Sequence, residues 1–126
     1  MKVEDLKELG YDEKQMKVLF ALRNGSLSGP ELEKATELRQ PEVARALKEL
    51  RNKGLVKLVR GEKRFKRGAP CKIWALEKPF EEIVKELVSK KLAELDRKLK
   101  IAIAILLELG ESVELEAINE MKNSGL

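Results

Sequence analysis

The chain has 126 residues, of which 43% are hydrophobic and 38% charged, with a net charge of +4, no histidine and one cysteine. That length suits one compact core with an appended element, and the apolar share excludes a disordered polymer. Aromatics at 4% leave Leu, Ile, Val and Ala to build the interior.

Cys71 has neither a second cysteine nor a histidine to work with, which excludes an intramolecular disulfide, the usual zinc sites and a thiol–imidazole pair. A reducing cytoplasm is the expected compartment, and no cofactor or metal is expected. The opening MKVEDLKELG is too acidic and too interrupted by charge for a signal peptide. The longest apolar run, Ile101 to Leu107, falls well short of the ~20 residues that span a bilayer, so no membrane partner is expected.

Charge is distributed unevenly. Residues 39–72 hold 12 basic and 3 acidic side chains, a local +9, whereas the rest of the chain carries −5. A segment so one-sided in an otherwise acidic protein points to a surface that meets phosphate.

The first helical period runs from Asp12, a candidate N-cap, to Arg23, with Met16, Leu19, Phe20 and Leu22 apolar and Asn24-Gly25 as the stop. A second helix is expected from Ser28, followed by Gly29, Pro30 and Glu31 in its first turn, with Leu32, Ala35 and Leu38 as its buried stripe. Gln40 and Pro41 open a third, where Val43, Leu47 and Leu50 recur at helical spacing before Lys53-Gly54 closes it. Leu55 to Arg60 and Lys72 to Leu76 then read as two strands of a hairpin, whose tip carries Lys63, Arg64, Lys66 and Arg67.

From Pro79 the helical period persists to Leu109, before Gly110, a length of about 46 Å at 1.5 Å per residue. Within it Val88, Leu92, Leu95, Leu99, Ala102, Leu106 and Leu109 follow a 4,3 spacing, the seam of coiled-coil-like packing. The preceding residues already account for one small core, so the seam is expected to form a homodimer interface. Residues 111–126 are a short tail or helix without recognisable chemistry.

Helix, helix, turn, helix and basic hairpin, in that order, define a mainly α fold with a small β-hairpin: a winged helix-turn-helix. The organisation is residues 1–78 as a DNA-binding domain, 79–110 as a long dimerisation helix and 111–126 as the tail. With Val43, Leu47 and Leu50 inward, Arg45, Lys48 and Asn52 face outward. Arg39 and Gln40 stand at the helix N-terminus, where base edges and phosphate approach. Arg45 has the planar fork for guanine and Gln40 the amide for adenine, whereas Lys48 and Arg51 suit phosphate.

The sequence resembles the winged-helix domain of archaeal TrmB-like and MarR-like transcriptional regulators over residues 10 to about 88. The carriers are GYDEKQMKVLFALRNG, LSGPELEKATELRQPEVARALKELRNKGLV and KIWALEKPFEEIV. The resemblance implies Arg39, Gln40, Arg45 and Lys48 for the major groove of double-stranded DNA, with residues 63–67 on the wing. The separate effector-binding domain of full-length TrmB-like proteins has no counterpart here, which leaves a small-molecule effector open.

Other classes fit less well. An enzyme would lack histidine, a phosphate loop and paired cysteines, and pairs such as Glu81-Glu82 or Glu31 with Glu33 read as solvated charge. Lys72 and Arg67 near Cys71 would favour its thiolate as a redox sensor, although an ordinary hairpin cysteine explains it more simply. A protein-interaction module would expose apolar side chains where only Phe65 and Trp74 qualify, and RNA recognition would call for more aromatics.

Overall fold

A computed structural model describes residues 1–60 and 72–111. Along the chain lie α1 (Val3–Glu8), α2 (Glu13–Ala21), a 3-10 turn (Leu22–Asn24), β1 (Leu27–Ser28), α3 (Gly29–Thr36), α4 (Gln40–Asn52), β2 (Val56–Arg60), β3 (Lys72–Leu76) and α5 (Phe80–Glu108). The expected wing tip, Lys63, Arg64, Lys66 and Arg67, lies outside the described residues, as do Phe65, Cys71 and the tail.

Local chemistry sets the helix ends. The Asp12 carboxylate accepts the Gln15 backbone N–H at 3.0 Å and starts α2. Ser28 and Glu31 form a reciprocal capping box, the Ser28 N–H donating to Glu31 Oε1 at 3.0 Å and the Glu31 N–H to Ser28 Oγ at 3.3 Å. At the other end of α3, the Thr36 hydroxyl donates to the Leu32 carbonyl at 2.6 Å and accepts the Leu38 N–H at 3.3 Å. Glu37 then turns into the left-handed region at φ 60°, so the helix stops and the chain swings into α4. A Schellman closure ends α4: the Gly54 N–H bonds the Arg51 carbonyl at 2.9 Å and the Leu55 N–H bonds the Leu50 carbonyl at 3.0 Å. Gly54 sits at φ +74°, a conformation that costs glycine least.

The expected hairpin is present as β2 and β3, and β1 adds a third strand that was not expected. β3 is central in an antiparallel order β1-β3-β2, with Leu27 opposite Trp74 and Ser28 opposite Ile73 on one side. On the other side β2 pairs from Val56 opposite Leu76 to Arg60 opposite Lys72. β1 has only two residues, too few for any alternation to register in the sequence. The six-residue α1 was likewise not expected; only Leu6 on it is buried, so it has no apolar stripe to read. The stripe of α3 also differs, because Leu32 and Thr36 are buried, Ala35 is exposed and Leu38 is half-buried. The turn at Glu37 takes Leu38 out of helical phase.

The chain divides into two compact units, Met1–Val84 and Lys85–Leu126. The core of the first is aliphatic, with Met16, Leu19, Leu32, Leu50, Val56 and Ile83 fully buried. Phe20 meets Phe80 edge-on at 4.9 Å between centroids, and the Arg23 guanidinium lies 5.6 Å from the Phe80 ring. In the second unit, the described helix carries two sets of ion pairs, Lys98 and Lys91 to Glu94 at 2.8 and 3.1 Å and, on the opposite side, Lys100 to Asp96 at 3.0 Å. No helix among the described residues is long and apolar enough to cross a membrane.

Candidate nucleic-acid interface

Two faces of α4 do different work. Val43, Ala46, Leu47 and Leu50 are buried, at roughly 1.5–3 kcal/mol for each large side chain, and lock the helix into the core. Arg39, Gln40, Arg45, Lys48, Arg51 and Asn52 are all exposed, as the 100° step between residues requires. The expected third helix is therefore α4, and it has the expected inward and outward faces.

The helix starts on a defined cap. The Arg39 N–H donates to Glu42 Oε1 at 3.1 Å, and the Arg39 carbonyl accepts from the Glu42 and Val43 N–H groups at 3.0 Å each. This holds the first turn, with Pro41 in it, at the solvent-facing end where Arg39 and Gln40 project.

Two grooves flank the exposed face. One, about 650 Å³, lies between α4, the start of α3 and β3. Gln40, Lys48, Arg51 and Asn52 border it, Val43 and Leu47 contribute apolar surface, and Lys72 and Trp74 close the sheet side. The Arg51 guanidinium lies 6.0 Å from the Trp74 ring, a cation–π contact that steers Arg51 towards the sheet. Three cations thus edge one channel, which suits a polyanion lying along it. Lys72 and Trp74 were not among the expected site residues. Their signal was the alternation in KIWAL: Ile73 is buried, which puts Lys72 and Trp74 together on the other face of β3.

The second groove, about 500 Å³, lies between α2 and α4 and is bordered by Asp12, Glu13, Lys14, Glu42, Arg45 and Glu49. Arg45 therefore stands beside four carboxylates, on the opposite flank from Arg51. Lys14 sits 2.7 Å from Glu42 and, with the Arg39 N–H, holds that carboxyl below its usual range. Buried Gln15 donates through Nε2 to Glu49 and accepts Lys53 Nζ at 2.9 Å, tying α2 to α4. Among the described residues, no buried side-chain nitrogen or oxygen lacks a partner.

The seam residues on α5 are Val88 and Leu99, half-buried, with Ala102 and Leu106 exposed. Leu92 is 41% exposed, Leu95 43% and Leu109 72%. Ile101, Ile105 and Leu107 are exposed too, so the apolar surface is wider than the seam alone.

Residues 5–64 match the model of the MarR family. No curated protein matches the chain. Two solved structures share its fold. A possible transcriptional regulator from Methanosarcina mazei is 20% identical, with a TM-score of 0.53 over 79% of this chain and 88% of that one. RV1404 from Mycobacterium tuberculosis is 15% identical, with a TM-score of 0.51 over 88% of this chain and 81% of that one.

Proposed function

We propose that this chain is a sequence-specific, double-stranded-DNA-binding transcriptional regulator of the cytoplasm, acting as a homodimer and allied to TrmB-like as well as MarR-like proteins. The observation that carries the reading is the outer face of α4, where six polar or cationic side chains stand exposed on a helix anchored by a complete apolar stripe. In this reading α4 enters the major groove. Arg45 and Gln40 read base edges, Arg39 and Asn52 support them, and Lys48, Arg51 and Lys72 bind the phosphates of a strand running through the 650 Å³ groove. Lys63, Arg64, Lys66 and Arg67 add backbone or minor-groove contacts from the wing.

The dimer rests on the α5 surface, where Leu92, Leu95, Leu106 and Leu109 are each more than 40% exposed. A second copy of the same seam covers them with like chemistry. A protein-interaction module without DNA readout is disfavoured, because the exposed face of α4 carries no large apolar side chain.

Selection of bound duplexes from a random pool tests the whole reading. The expected product is a motif with two-fold symmetry and half-sites about 34–36 Å apart, or a multiple of that. A pool that never enriches would remove DNA recognition, and an asymmetric single site would remove the dimer.

A further inference from the structure

An arginine that reads a base needs its guanidinium unpaired when DNA arrives, and an isolated α4 would not provide that. Glu42 lies three residues before Arg45 and Glu49 four after it, both within reach of an intrahelical ion pair. In the folded domain neither carboxylate is paired with Arg45. Lys14 Nζ holds Glu42 at 2.7 Å, and Gln15, only 5% exposed, holds Glu49 while binding Lys53 through its other amide atom. The remaining carboxylates of the groove are occupied as well: Asp12 by the Gln15 N–H at 3.0 Å, and Glu13 by Lys7 at 3.1 Å and Lys17 at 3.8 Å. Arg45, exposed among all four, has no hydrogen bond or ion pair to a described residue.

We infer that α2 acts as a carboxylate trap for the recognition helix, with Lys14 and Gln15 as positioning residues that keep Glu42 and Glu49 off Arg45. The inference rests on the DNA-binding reading and deepens it, since it assigns sequence discrimination to two residues that need not touch DNA. The traps have different strengths. Lys14 is exposed, and its pair with Glu42 adds little stability, but it need only win Glu42 from Arg45. Gln15 is buried and ties α2 to α4 by holding Glu49 and Lys53.

The test has a DNA-free arm and a DNA arm, both on the full chain. Without DNA, solvent exchange of the Arg45 Nε–H is followed by NMR. It is expected to be fast in wild type and slower in Lys14→Ala, and again slower in Gln15→Leu combined with Lys53→Ala, which removes the amide that holds Glu49 and the lysine bonded to that amide. Glu42→Gln, which retains the capping oxygen, is expected to restore fast exchange in Lys14→Ala. Identical exchange in every variant would overturn the trap whatever DNA does.

In the second arm, affinity is measured for the duplex selected by wild type. Lys14→Ala is expected to weaken it about two- to fivefold, as befits a surface ion pair gained by Arg45 in the free protein. The loss is expected to vanish in an Arg45→Ala background and in a Glu42→Gln background. A loss that persists without Arg45 would mean that Lys14 itself contacts phosphate, and would sink the inference. Should wild type enrich no duplex while the exchange results hold, the DNA-binding reading fails and the trap stands as electrostatics alone.

Discussion

Helices α4 and α5 follow the same amphipathic plan and end in opposite states. On α4 the apolar stripe is covered, with Leu50 at 0% exposure and Val43 at 3%, and what faces solvent is cationic. On α5 the stripe beyond Lys85 stays open, with Leu95 at 43% and Leu109 at 72%, while Glu94, Asp96 and three lysines pair among themselves. A surface that offers charge is matched by a polyanion. One that offers leucine is matched only by more apolar surface. The proposed roles, DNA for α4 and a second copy for α5, follow this contrast.

The largest expected effect breaks the contrast at α5. Leu99→Asp with Leu106→Asp would put four unpaired carboxylates into a dimer seam, forfeiting roughly 1.5–3 kcal/mol of burial per leucine besides the cost of the charge. Sedimentation is expected to show monomers or unfolded chain, with high-affinity operator binding lost. A wild-type protein that is already monomeric at micromolar concentration would remove the role given to α5.

Next comes the covered stripe. Leu50→Ala should cost about 2–5 kcal/mol of domain stability, read from urea unfolding. If the α4 stripe serves only its own domain, the penalty will not depend on protein concentration. A penalty that shrinks as the protein is concentrated would place Leu50 at an interface.

The outer face of α4 sharpens the comparison further. Arg45→Ala is expected to lose roughly 1–3 kcal/mol at one operator position and to relax preference there, whereas Lys48→Ala should weaken all duplexes alike. Equal losses on selected and random DNA in the Arg45 variant would take base reading away from it.

The smallest effect belongs to the ion pairs of α5. Hydrogen bonds from Lys98 and then Lys91 lower the Glu94 carboxyl from 4.5 to about 2. A depressed carboxylate stabilises the folded state above its unfolded value, so this contribution should be fully present above about pH 4.5 and fade as pH falls towards 2. NMR titration checks the midpoint, and Lys98→Ala should raise it. A Glu94 midpoint near 4.5 in wild type would mean that these pairs are not held in solution.

Periodic elements were open to reading from the chain alone. Helices α2, α4 and α5 repeat apolar residues over enough turns to declare both their existence and their inward face, and Arg45, Lys48 and Asn52 follow as the opposite side of α4. Strands β2 and β3 were legible from β-prone runs on either side of a polar segment. Two-residue β1 and six-residue α1 were not, because neither completes a repeat. Thr36 replaced Leu38 in the α3 stripe because the Thr36 hydroxyl and the left-handed Glu37 end the helix early, a matter of hydrogen bonds rather than hydropathy.

Local order along the chain was therefore enough to specify the class of fold and the exposed polar face of α4, since both follow from repeats of a few residues. The surroundings of that face needed the tertiary structure. Trp74 reaches Arg51 only because β3 lies beside α4, and Lys14 and Gln15 reach Glu42 and Glu49 only because α2 crosses it. Charges distant in sequence decide which partner each arginine keeps. Ion pairing depends on separation in space, and the packing of the apolar stripes sets that separation.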